Sequence, residues 1–117
     1  MAVITEDSTT VEQRLVSVLD VARANAGSVD AEGAFPTETI AALRSSGLLG
    51  LTVSEGDGGL GAGPREFVQV VSALAEACGS SAMIYLMHVS AVACITGAPP
   101  PGIPHVLSRL ASGDWLG

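Results

Sequence analysis

Apolar positions along this chain recur at helical spacing almost throughout, and in one stretch they close into a full circle. Residues 80–97, SSAMIYLMHVSAVACITG, carry no formal charge from Ala82 to Ile95, and only Tyr85, His88 and Ser90 interrupt the apolar run there. No face of such a helix suits water, so it is expected to be covered all round. A chain of 117 residues supplies only part of that cover. The helix is therefore expected to meet a ligand, a partner or further protein as well.

The flanking pattern fits other helices to this one. Val11, Leu15, Val18, Leu19 and Ala22 share one face of a helix over residues 8–26, with Ser8 or Thr10 as cap and Gly27 as stop. Residues 28–34 read as a polar connecting loop. Pro36 opens a second helix through Ile40, Leu43 and Arg44, and Gly47 closes it. Residues 48–53 form an apolar run that suits a strand or a buried turn, which period alone does not separate. A glycine-rich segment, SEGDGGLGAG at residues 54–63, leads to Pro64. That proline opens a third helix with Phe67, Val70, Val71, Leu74 and Ala75 on its apolar face. Gly79 ends it and Ser80 caps the central helix. A proline cluster at residues 98–101 turns the chain into a last short helix, residues 103–111, ended by Ser112-Gly113. Asp114, Trp115 and Leu116 then read as the start of a strand. The fold class is all-α, an orthogonal or up-down bundle of about five helices around one fully apolar central helix.

Composition narrows what such a bundle can do. Hydrophobic residues make up 48% of the chain and charged ones 15%, and mean hydropathy is +0.48, which leaves little charge to coat a free surface. Net charge is −7, and the five basic residues are Arg14, Arg23, Arg44, Arg65 and Arg109, scattered rather than gathered into a patch. Nucleic acid is excluded as a partner on that ground. Cys78 and Cys94 lie far apart with no CxxC, as structural thiols in a reducing cytosol do, so a cytoplasmic location is expected. The N-terminal MAVITEDSTT is acidic and lacks the apolar core of an export signal. The central apolar run is shorter than the roughly 20 residues of a membrane span and has no basic flank, so no span is expected. His88 and His105 have no ligating neighbours at useful spacing, which excludes a metal centre, and no residue stands in the context of a catalytic nucleophile.

Two stretches invite a functional reading. Gly56-x-Gly58-x-x-Gly61 formally matches a dinucleotide fingerprint. Pro64 starts the helix only after the last glycine, Glu55 and Asp57 put negative charge where a pyrophosphate would sit, and no second strand follows. A structural loop exploiting glycine at positive φ is the better reading. On the central helix, at about 100° per residue, His88 centres a face shared with Ile84, Tyr85, Ala91 and Val92. That mixed face suits a pocket for an apolar ligand. The alternative is a core histidine satisfied by a backbone carbonyl, with Tyr85 packed as an ordinary aromatic. Met83 and Met87 read as core filler.

Four short pieces occur in a telling order: Phe35-Pro36, Gly47-Leu48-Leu49-Gly50, Gly58-Gly59-Leu60-Gly61 and Leu110-Ala111-Ser112-Gly113. With them the chain resembles the N-terminal helical domain of the acyl-CoA dehydrogenase family, over residues 35–117 and with a first helix that fits too. Ser54 and Asp57 stand where the family commonly has proline and an aromatic, and residues 98–104 replace a charged helix start. The resemblance implies that residues 1–117 are the first of three domains, with the middle β-domain and the C-terminal helical domain absent. It implies FAD in the complete enzyme, bound outside this chain, and a catalytic carboxylate also outside it. The reaction it implies is α,β-dehydrogenation of acyl-CoA thioesters in fatty acid metabolism, by an enzyme that is a homo-oligomer when complete. The family's strand and Thr-Glu-Pro motif do not follow Ser112-Gly113. By the same resemblance, Ile84, Tyr85, His88, Ala91 and Val92 would line the acyl pocket beside the flavin. Two alternatives accompany this reading: a flavin monooxygenase of the same fold, using His88, and a non-catalytic helical interaction module.

Overall fold

A computed structural model describes residues 2–98, 101 and 105–116, with residues 2–10 described by their backbone alone. Five α-helices occur among them: α1 (Ala2–Glu32), α2 (Thr37–Ser46), α3 (Pro64–Ala77), α4 (Gly79–Gly97) and α5 (Val106–Ser112). Two 3₁₀ turns, Leu48–Gly50 and Glu55–Asp57, join α2 to α3. The fold is all-α, and no strand occurs among the described residues, so the strand start expected at residues 114–116 is not formed.

α1 is longer than its pattern indicates. It already includes Ser8 and Thr10, which therefore do not cap it, and it runs through Gly27 to Gly33, where φ is +64°. Glycine inside a helix costs about 1 kcal/mol relative to alanine. Here burial of Val29 two residues later, on the face of Val11, Leu15, Val18 and Ala22, offsets that cost and keeps residues 28–32 helical. α2 follows the expected boundaries: Pro36 precedes its first turn, and Gly47 at φ +82° closes it.

Residues 48–53 are a buried turn rather than a strand. Leu48, Leu49, Leu51 and Val53 are all buried. Their backbone bonds run three residues back, Gly50 N–H to the Gly47 carbonyl and Leu51 N–H to the Leu48 carbonyl, each at 3.1 Å. The glycine-rich segment folds back onto this turn: Leu60 N–H donates to the Gly50 carbonyl at 3.0 Å, Gly61 N–H to Val53 and Ala62 N–H to Leu51, both at 2.8 Å. At Gly59 a Cβ would collide with the Val53 carbonyl and side chain, so only glycine lets the two arms of the loop lie this close.

Cys78, not Gly79, makes the corner between α3 and α4. It is extended at φ −160° and buried, and its N–H closes α3 on the Leu74 carbonyl at 2.7 Å. Ser80 accordingly lies within the first turn of α4 and caps nothing. Burial of the thiol at the corner outweighs the glycine signal next to it. α5 starts after His105 and ends at Gly113, φ +86°. The expected start of this helix at residues 103–104, and part of the proline cluster at residues 99–100, lie outside the described residues.

α1 packs on α2 and α3, α3 on α4, and α5 on the Leu48–Gly50 turn. One core joins α1, α2, α3, α4 and the Leu48–Gly50 turn. A second cluster, Val53, Val92, Val106, Leu110 and Ala111, ties α4 to α5.

Candidate functional site

α4 is apolar all round but covered on one side only. Ser81, Ala82, Tyr85, His88, Val89 and Val92 are buried. On the opposite side Met83 is 57% exposed, Leu86 38% and Met87 61%, and Ser90, Ala93 and Cys94 continue that stripe in the open. The molecule explains the split: it is a slab 41 × 39 × 20 Å. With helices about 10 Å across, that thickness holds about two layers, too few to cover α4 on both sides. By length and composition α4 could also cross a membrane, a test that a core helix passes equally.

The five residues expected to face a ligand do share a face, and it is turned inward. Tyr85, His88 and Val92 are buried, and Ile84 and Ala91 are half-buried beside them. The Tyr85 hydroxyl donates to the Leu48 carbonyl at 2.8 Å, and burial pushes its pKa well above the ordinary value. His88 Nε2 lies 2.9 Å from the Leu49 carbonyl. A carbonyl can only accept, so Nε2 carries the proton. Burial lowers the His88 pKa, while backbone hydrogen bonds involving Leu49 and Leu110 act the other way and are outweighed. These side chains rivet α4 to the Leu48–Gly50 turn, which is the carbonyl-satisfied alternative for His88.

The open stripe lies about 140° round the helix, from His88 to Met83. On its α3 side it runs into a groove of about 310 Å³, lined by Thr52, by Pro64 and Phe67 of α3, by Val89, Ser90 and Ala93 of α4, and by the Ala62-Gly63 turn. None of these residues is ionisable. Phe67 forms part of the wall and is backed by Tyr85, ring centroids 6.1 Å apart. The sequence pattern puts Phe67 on the apolar face of α3 and reads Met83 and Met87 as core filler. Only Ser90, the polar break in an apolar run, marked this side as different.

The dinucleotide-like glycines build no phosphate cradle. The amides of Gly59 and Gly61 are bonded to the Ser54 and Val53 carbonyls, and Ser54 Oγ donates to Asp57 at 2.9 Å. Among the described residues no group of three or more His, Cys, Asp or Glu could hold a metal.

The family model described as "Acyl-CoA dehydrogenase, N-terminal domain" matches residues 6–114. No curated protein and no solved structure gives a significant match to the chain.

Proposed function

From the premise that this chain belongs to the acyl-CoA dehydrogenase family, as its N-terminal helical domain, we propose that it serves an FAD-dependent oxidoreductase acting on acyl-CoA thioesters. Its share of that work is an apolar wall for the acyl chain. The supporting observation is the open stripe of Met83, Leu86 and Met87, large apolar side chains held toward solvent by a helix whose other side is pinned. An apolar face of this size on a small chain marks a surface meant to be covered.

The described residues do not by themselves fit a flavin site. The glycine-rich amides are spent on backbone carbonyls, and Glu55 and Asp57 stand beside them. Flavin and the catalytic base therefore belong to protein outside these residues, and no residue here is assigned a catalytic role. Ile84, Tyr85, His88, Ala91 and Val92 serve the acyl site from behind, by fixing the helix that presents it. A flavin monooxygenase would need His88 open to the flavin, and its ring is wholly buried. A non-catalytic module would use the same stripe without turnover.

The test is to place aspartate at Leu86 or Met87 in the complete flavoenzyme. Flavin content is expected to hold while kcat/KM for an acyl-CoA falls at least about 10-fold, since a charge in an apolar site costs several kcal/mol. Unchanged kcat/KM in both variants would remove the stripe from the substrate path.

A further inference from the structure

His88 sits where three elements meet. Its ring is wholly buried on α4, its Nε2 donates to the Leu49 carbonyl at 2.9 Å, and a backbone hydrogen bond involving Leu110 ties it to α5. The Leu48–Gly50 turn and α5 thus both cover the ring. α5 lies directly on the bare backbone of that turn, where a Cβ at Gly50 would come within 3.0 Å of Ala111.

α5 is the weaker part of that cover. It has seven residues, too few to hold as an isolated helix. Val106, Leu110 and Ala111 pack with Val53 and Val92 into the small second cluster, apart from the main core. Its start is strained, since His105 stands there at φ +62°, and its far end is held to α2 by Arg44 Nε on the Gly113 carbonyl at 2.9 Å. Elements held in this way open locally at lower cost than the core. The charged groups on the surrounding elements are engaged or exposed. α4, the Leu48–Gly50 turn and α5 carry no carboxylate. Arg109 of α5 stacks on Trp115, Arg14 of α1 donates to the Ser46 carbonyl, and Asp57 accepts from Ser54. Glu12, Asp20, Asp30 and Glu32 of α1, Glu38 of α2, Glu55 and Glu76 are exposed, and Glu66 is half-buried in the first turn of α3. Tyr85, on the same helix as His88, is held on the Leu48 carbonyl.

We propose that α5 is an acid-sensitive latch: when His88 takes up a proton, α5 lifts off the Leu48–Gly50 turn and admits water to the ring, while α1, α2, α3 and α4 stay packed. With α5 closed, burial keeps the ring neutral; with α5 open, it titrates near 6.5. Opening therefore takes up a proton below pH 6.5. Its equilibrium constant rises by up to about 10-fold per pH unit as pH falls from there toward the lowered value of the closed state. Above pH 7 the latch stays shut. Release uncovers Val53 and Val92 along with the ring, so acid adds apolar surface at the α5 end of the molecule. The latch does not depend on the acyl-wall reading above.

The experiment is amide hydrogen exchange on the full chain at pH 7 and pH 5, wild type and His88→Gln, read as protection factors so that the intrinsic pH dependence of exchange is removed. Amides of α5 from Arg109 to Ser112 are expected to be at least about 10-fold less protected than those of α3 around Leu74 at both pH values, the mark of local rather than global opening. Their protection should fall at least about fivefold from pH 7 to pH 5 in wild type, within the limit set by uptake of one proton, and should hold within about twofold in His88→Gln. Equal protection in α5 and α3 would overturn the proposal, because the opening would then be global. A fall of the same size in His88→Gln would overturn it too, because another group would be the sensor. Should His88→Gln not fold, the wild type decides alone: α5 protection that does not fall by pH 5, or that matches α3, overturns the latch.

Discussion

His88 is the buried imidazole on α4, and its environment shapes how the fold responds to acid. Its pKa is lowered by burial, so the folded chain takes up a proton at lower pH than the unfolded chain, whose histidine titrates near 6.5. The stability it contributes is thus fully present above pH 6.5 and is lost progressively as pH falls from there toward the lowered folded value. Urea midpoints measured between pH 7 and 5 should decline more steeply in wild type than in His88→Gln; parallel declines would show that His88 does not titrate against folding. Other residue-level ties were invisible in the sequence. Arg14 donates to the Ser46 carbonyl at the end of α2, and Arg44 Nε to the Gly113 carbonyl at the end of α5, at 2.9 Å. Two of the scattered arginines are therefore helix-end donors, placed where the helix dipole favours a cation. Spacing could not show this, because the partners lie 32 and 69 residues away.

At the scale of elements, glycine divides into two kinds. A Cβ at Gly27 would meet nothing within 4 Å, whereas at Gly59 it would run into backbone. Gly27→Ala should stabilise the fold by about 0.5–1 kcal/mol, through helix propensity and a less free unfolded chain. Gly59→Ala should destabilise it by about 1–3 kcal/mol through forced displacement of the loop. Chemical denaturation compares the two, and a neutral Gly59→Ala would mean that the loop is not clamped as described. The same contrast shows what the sequence revealed. Glycine read correctly where φ must be positive, at Gly47 and Gly113. It misled at Gly27 and Gly79, where burial of Val29 and Cys78 decided the boundary. The helix order, the all-α class and the apolar face of α3 around Val70 and Leu74 were legible because each rests on local periodicity. Which side of α4 faces in was not, since an all-apolar helix has no amphipathic signal to orient it.

The whole molecule has a Cα radius of gyration of 14.1 Å, close to the roughly 13 Å expected of a compact domain of this length. Its core is closed, yet α4 keeps one apolar side open. The expectation that this chain covers its central helix only in part holds, and the residues on the uncovered side are Met83, Leu86 and Met87 rather than the face around His88. The inner face of α4 holds the fold, and the outer face is the one we propose meets the substrate. The most direct test is thiol labelling of Met87→Cys in the complete flavoenzyme with the exposed Cys94 replaced by serine, Cys78 serving as the buried internal reference. A saturating acyl-CoA that is not turned over should slow labelling at position 87 by about 10-fold or more, the change expected when a ligand occupies most of its sites. Labelling at the same rate with and without the ligand would contradict the account, because the outer face of α4 would then lie away from the substrate.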